Sequence, residues 1–107
     1  MSDPIYALNL FNVTSKAEYL AYAKRSAAEV ESHGGRVVVM GKYRESIAGD
    51  SKPREVMILV EWSSREAFEH YCTDPDLADL HPHRVNGTCD YIWQLFDKLE
   101  DLRPVLK

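Results

Sequence analysis

His81 and His83 flank Pro82, with Arg84 beside them and His70 and Asp79 upstream. Imidazole titrates near neutrality, so either His81 or His83 could serve as a general acid or base. Two imidazoles one residue apart could also ligate a metal with help from a carboxylate. No third ligand stands at a recognised interval, so the sequence assigns no metal here. The structural alternative is a loop fixed by Pro82 whose histidines are solvated or cap a carbonyl. His33, at the end of an expected helix, is read as a cation suited to the helix dipole.

Glu61 and Asp90 are carboxylates within strand-like segments. Placed in a partly dry cavity they would bind their protons more tightly, which suits acid/base work. A salt bridge at a subunit interface, with Lys42 or Arg44, is the competing reading. Arg54 and Arg84 each precede or open a strand and could clamp a substrate carboxylate or enolate through paired hydrogen bonds. They could equally pair with Asp50, Glu55 or Asp79. Among the aromatic residues, Tyr43 and Trp93 are the candidates for stacking a planar ligand. Asn9 and Gln94 are polar groups set among apolar strand residues and are candidate ligand contacts.

Other chemistries find no support. The chain has a formal charge of −4, and its Lys and Arg residues are scattered rather than gathered into the basic stripe that nucleic acid requires. No apolar run approaches the roughly 20 residues that cross a bilayer, and no secretory signal is evident. A cytoplasmic location is therefore expected, with Cys72 and Cys89 reduced and mostly buried. Phosphate loops, nucleophile elbows and dinucleotide fingerprints are absent, and no cofactor is assigned.

The elements that must position these side chains follow from the residue pattern. The 107 residues fit one domain, and 45% hydrophobic content is ample for a core. Ile5 to Val13 reads as a strand. Ser15 and Glu18 form a capping box that opens a helix running to about Ser32, with an apolar stripe of Leu20, Ala23, Ala27 and Val30. Gly34-Gly35 ends it. Arg36 to Ile47 is a second strand with Val37, Val38, Val39 and Met40 buried, and Gly41 suggests a bulge. Ala48 to Pro53 is a hairpin loop, and Glu55 to Trp62 alternates as a third strand. Ser63 and Glu66 repeat the capping signature before a helix that Asp74-Pro75 interrupts. A turn over Asp76 to Leu80, a strand from Thr88 to Phe96 and a short helix from Asp97 to Leu102, stopped by Pro104, complete the chain.

The order β-α-β-β-α-β predicts an α+β, ferredoxin-like domain over residues 1–107, an antiparallel sheet with both helices on one face. Val56, Ile58 and Val60, with Tyr6, Leu8 and Leu10, are expected on the helix side. The opposite face would then carry Ala7, Asn9, Phe11, Met57, Leu59, Glu61, Asp90, Ile92, Gln94 and Phe96. That face is too apolar for water, and a two-fold partner covering it would form a homodimer around a cavity holding Asn9, Glu61, Asp90 and Gln94.

The stretches Lys52-Pro53-Arg54-Glu55-Val56, Trp62-Ser63-Ser64-Arg65-Glu66-Ala67-Phe68 and His81-Pro82-His83-Arg84 resemble the dimeric α/β-barrel superfamily. Within it the chain is most similar to a small bacterial family of unknown function related to antibiotic-biosynthesis monooxygenases, as is the tail Tyr91-Ile92-Trp93-Gln94-Leu95-Phe96 with Asp101-Leu102-Arg103-Pro104. The resemblance implies a homodimer whose sheets form a barrel. It also implies a range of chemistry, among relatives that include cofactor-free oxygenases, cyclases, isomerases and haem enzymes. Two expectations stand side by side: a cofactor-independent enzyme acting on an aromatic or polyketide-like molecule, and a non-catalytic dimer that binds a ligand or serves as an accessory subunit.

Overall fold

A computed structural model describes residues 3–107. Its elements run β1 (Ile5–Val13), α1 (Lys16–Ser32), β2 (Gly35–Lys42), β3 (Val56–Trp62), α2 (Arg65–Thr73), a 3-10 turn (Pro75–Leu77), α3 (His81–Gly87), β4 (Thr88–Asp97) and α4 (Arg103–Leu106). The four strands form one antiparallel sheet in the order β2-β3-β1-β4. That is the expected split strand-helix-strand topology.

The core lies between this sheet and α1 and α2. Ala7, Val60 and Trp62 of the sheet meet Tyr22 and Val30 of α1, Tyr71 of α2, and Leu77 and Leu80 of the following turn. Trp62 and Tyr71 are each only 1% exposed. Truncating an aromatic so fully enclosed costs about 3–5 kcal/mol, because the surrounding atoms cannot collapse into the space. Two glycines make the packing possible. Gly34 turns the chain after α1 at φ 91°, a conformation other residues resist. A methyl on Gly87 would lie 2.7 Å from the backbone nitrogen of Tyr19, so α1 and α3 touch only because that position is bare.

Several local expectations are corrected. Ala7 pairs with Val60, Asn9 with Ile58 and Phe11 with Val56, so these β1 residues share the helix side with the β3 set. Tyr6, Leu8 and Leu10 occupy the open face. Both faces of β1 are apolar, so alternation alone could not orient it, and pairing with β3 decides. β2 ends at Lys42 rather than Ile47, and Val37, Val38, Val39 and Met40 are 40% exposed or more. It is an edge strand, and its irregularity falls between Val37 and Val39 rather than at Gly41. Leu20 is exposed, while Tyr22 carries the buried stripe of α1.

Ser15 caps α1 by accepting from the Glu18 N–H, but the Glu18 carboxylate turns to His83 instead of closing the box. Ser64, not Ser63, caps α2, its Oγ accepting from the Ala67 N–H, while the Ser63 N–H donates to the Gly34 carbonyl. The C-terminal helix begins at Arg103 with Pro104 in its first turn, where proline's missing N–H costs nothing. Both cysteines are free, and Cys89 is exposed rather than buried. Among the described residues, no helix is long and apolar enough to cross a membrane.

Candidate functional site

Between α1 and the sheet lies a cleft of about 540 Å³, its floor formed by all four strands and its wall by α1. The lining is mostly apolar, with Tyr19, Tyr22, Ser26, Asn9 and Tyr91 as its polar exceptions. A volume of this order accommodates a small organic molecule.

Asn9 is 6% exposed and fully satisfied. Its side-chain N–H groups donate to the Ile58 carbonyl at 3.2 Å and the Ala7 carbonyl at 3.3 Å, and its Oδ1 accepts from the Tyr91 hydroxyl at 2.5 Å. The Tyr91 ring stacks on Phe11, centroids 4.9 Å apart and planes 4° from parallel. Asn9 and Phe11 therefore fix Tyr91 at the cleft floor, which is why both face the helices. Tyr22 and Tyr71 share a hydroxyl hydrogen bond of 2.8 Å. Burial raises the pKa of all four tyrosines, and Tyr19 is pushed up to about 12. They remain protonated at neutral pH and act as donors rather than bases.

Arg84 stands behind this floor, half-buried on α3. Its guanidinium carbon lies 4.5 Å from the Trp93 ring centroid, 5.4 Å from Tyr91 and 6.0 Å from Tyr22. Its Nε and the Trp93 Nε1 are both buried without a hydrogen-bond partner. No carboxylate pairs with Arg84 among the described residues. A cation surrounded by aromatic rings gains from each of them, yet without a carboxylate partner keeps its capacity to bind an anion.

The remaining candidates scatter. Tyr43 and Arg54 share a shallower groove of about 420 Å³ at one edge of the open face. There the Tyr43 hydroxyl contacts Ser46 at 2.7 Å, and Arg54 donates to the carbonyls of Asp90 and Lys52. Asp90 itself is exposed, has φ 53° and accepts from Asn12, so it lines no enclosed cavity. Gln94 lies on the open face opposite Leu8 and is exposed.

Glu61 does lie on the open face, but Lys98 at 2.8 Å and Arg36 at 2.5 Å hold its carboxyl below the usual carboxylate range. This is the salt-bridge reading with different cations, and it overturns the expected raised pKa. The cavity between two sheets lined by Asn9, Glu61, Asp90 and Gln94 is thereby corrected: only Glu61 and Gln94 are on that face.

His81 and His83 sit on α3 rather than in a loop. The His81 Nε2 meets the Tyr71 carbonyl at 3.1 Å, and burial lowers its pKa. His83 binds Glu18 through Nδ1 at 2.5 Å. His70 and Asp79 join neither: His70 faces Asp74 at 3.9 Å, and Asp79 pairs with Arg25 at 2.8 Å. Among the aromatic residues the sequence singles out Tyr43 and Trp93, and it offers no signal for Tyr22. Tyr91 lies two positions before Trp93 on the same strand face, a period-two signal that pointed to both.

A four-stranded antiparallel sheet in this order, covered by helices on one side with a cleft between the layers, defines a ferredoxin-like α+β domain. The chain belongs to the family described as Domain of unknown function (DUF1330), whose model matches residues 4–93. A comparison with curated proteins gives no match. Among solved structures it is similar to RPA0582, a protein of unknown function from Rhodopseudomonas palustris, at 23% identity and TM-score 0.81 over 94% of this chain and 86% of that one. It is similar also to SnoaB, a cofactor-independent oxygenase from Streptomyces nogalater, at 20% identity and TM-score 0.66 over 95% and 99% of the two chains. A dimeric ferredoxin-like protein of unknown function from Thermobifida fusca shares 11% identity and TM-score 0.58 over 92% and 93%. At these identities the likeness establishes the fold.

Proposed function

We propose that this chain is a homodimeric small-molecule enzyme that takes a planar, anionic aromatic or polyketide-like substrate into the cleft beneath α1. There it acts without a cofactor, as an oxygenase, isomerase or cyclase. The observation that carries the reading is Arg84, a half-buried cation with no carboxylate partner, set against Trp93 and against the cleft's Tyr22 and Tyr91. A substrate enolate or phenolate entering the cleft would meet apolar walls for its ring and donors for its oxygen. Stabilising that charge in a dry site is worth far more than in water.

The similarity to SnoaB, a cofactor-independent oxygenase, supports the oxygenase member of this set. The dimer rests on the open face, where Leu8, Leu10, Met57, Leu59 and Ile92 have no helix above them, and on neighbours described as dimeric.

A second reading has its own observation. The titratable groups lining the cleft are all tyrosines with raised pKa, so the cleft holds no resident base. A ligand-binding dimer without turnover needs none. The two readings part in one experiment: oxygen uptake and product formation from hydroxylated polycyclic aromatics, with metal-free, flavin-free protein. Enzymatic function predicts saturable uptake or isomerised product that falls at least tenfold in Arg84→Met. Tight binding with no product would select the ligand-binding reading.

A further inference from the structure

Away from the cleft, His33, His70 and Asp74 converge where α1 and α2 end. One ligand atom from each lies within 4.8 Å of the others. His33 is the C-cap of α1, Asp74 the C-cap of α2, and His70 stands in the last turn of α2. Two helix C-termini therefore direct their negative dipole ends at one point, which favours a cation there. We propose that His33, His70 and Asp74 form a divalent transition-metal site, of the kind zinc occupies, that clamps the C-terminal ends of α1 and α2 together.

The orientation of each ligand supports this. The His33 Nδ1 lies 2.6 Å from the Glu29 carbonyl, and a carbonyl oxygen only accepts, so Nδ1 carries the proton. In neutral imidazole the Nε2 lone pair then points at the Asp74 Oδ2, 2.8 Å away. Two lone pairs at that distance repel unless a positive charge lies between them. The other Asp74 oxygen accepts from the Asp76 N–H at 2.9 Å, which aims Oδ2 at the imidazole. Backbone hydrogen bonds that fix a histidine tautomer and turn a carboxylate are the usual outer support of metal ligands.

A proton on His33 would satisfy that pair alone. It would leave unexplained why the His70 Nε2 also faces the same Asp74 oxygen, at 3.9 Å. Ligands about 2.0–2.2 Å from a tetrahedral zinc lie roughly 3.3 to 3.6 Å from one another, so the metal would spread the His33–Asp74 pair from 2.8 Å while rotation of the exposed His70 brings its Nε2 in. The His33 and Asp74 side chains are 10% and 16% exposed and His70 is 68% exposed, so the fourth position opens to solvent on the His70 side. Three protein ligands plus an open position is a recognised zinc arrangement. The proposal is independent of the cleft and of any reaction there.

Tag-free protein, stripped with chelator and titrated with zinc ion by calorimetry, tests it. One zinc per chain is expected, with a rise in thermal midpoint, because a ligand that binds only the folded state stabilises it. His70→Ala, at an exposed position that leaves the core intact, should weaken binding at least tenfold, and Asp74→Asn should do the same. The double variant His81→Ala, His83→Ala should bind as the parent does. Absence of saturable binding by the parent protein, or binding unaltered in His70→Ala, would overturn the proposal, as would binding lost only in the His81, His83 double variant.

Discussion

The two faces of one sheet follow opposite rules. Beneath the helices, the polar side chains at the centre of the sheet are buried with a partner or held against aromatic rings: Asn9 makes three hydrogen bonds, and Trp93 packs on Arg84. On the open face the strands present leucine, isoleucine and methionine at the centre, and polarity falls on Gln94 of β4 and on the ion pairs of Glu61 with Arg36 and Lys98. The first face is finished within one chain and keeps a cleft. The second is unfinished, and its composition is that of an interface. Site and partner are therefore sought on different sides of the molecule, whereas residue alternation alone had placed both in one inter-sheet cavity.

The largest expected effect breaks the open face. Leu59→Arg puts a charge at its centre, where a partner would leave it buried and unpaired at a cost of several kcal/mol. Sedimentation should find dimer for the parent protein and monomer or aggregate for the variant. A parent that sediments as 12.3 kDa at micromolar concentration would show that the face needs no cover.

Asn9→Ala sharpens the other side. It strands the Tyr91 hydroxyl and two carbonyls in a buried setting, so stability should fall by about 1–3 kcal/mol in denaturant unfolding, with the dimer intact. A change under half a kcal/mol would mean that water replaces the amide and the floor is not dry.

A smaller effect comes from pH. Burial holds the His81 imidazole below its ordinary value of about 6.5, so the folded protein binds that proton less well than the unfolded chain. The stability His81 supplies is present above about pH 6.5 and is lost as pH falls below it. His33 acts in the opposite sense, since Asp74 raises its pKa and its contribution fades as pH rises through that raised value. The difference between the parent and His81→Gln isolates the first term. That difference should shrink as pH falls from 7 to 5, and a constant difference would contradict the assignment.

Much of the fold was legible because its signals are local and strong. The alternation of Val56, Ile58 and Val60, the Gly34 stop and the Asp74-Pro75 break each act within a few residues. The site was less legible because its decisive facts are non-local. Nothing within β1 says which of its two apolar faces meets the helices; the pairing of Asn9 with Ile58 does. The same holds for Glu18, whose capping spacing was right while its carboxylate went to His83, 65 residues away. Arg84 and Trp93 were singled out by type, yet their contact with each other needed α3 and β4 to be placed.

The central claim is that ligand enters beneath α1, where the charge of Arg84 behind Tyr22 and Tyr91 favours an anion. The chain has only two tryptophans, and only Trp93 packs against Arg84, so their indole N–H resonances report the location directly. On titration with a planar aromatic carboxylate, the Trp93 signal should shift in a saturable way while Trp62, packed against Phe68 and Tyr71, stays in place. Arg84→Met should weaken that response at least tenfold. Shifts confined to methyl groups of Leu59 and Ile92 on the open face, with Trp93 unmoved, would contradict the account.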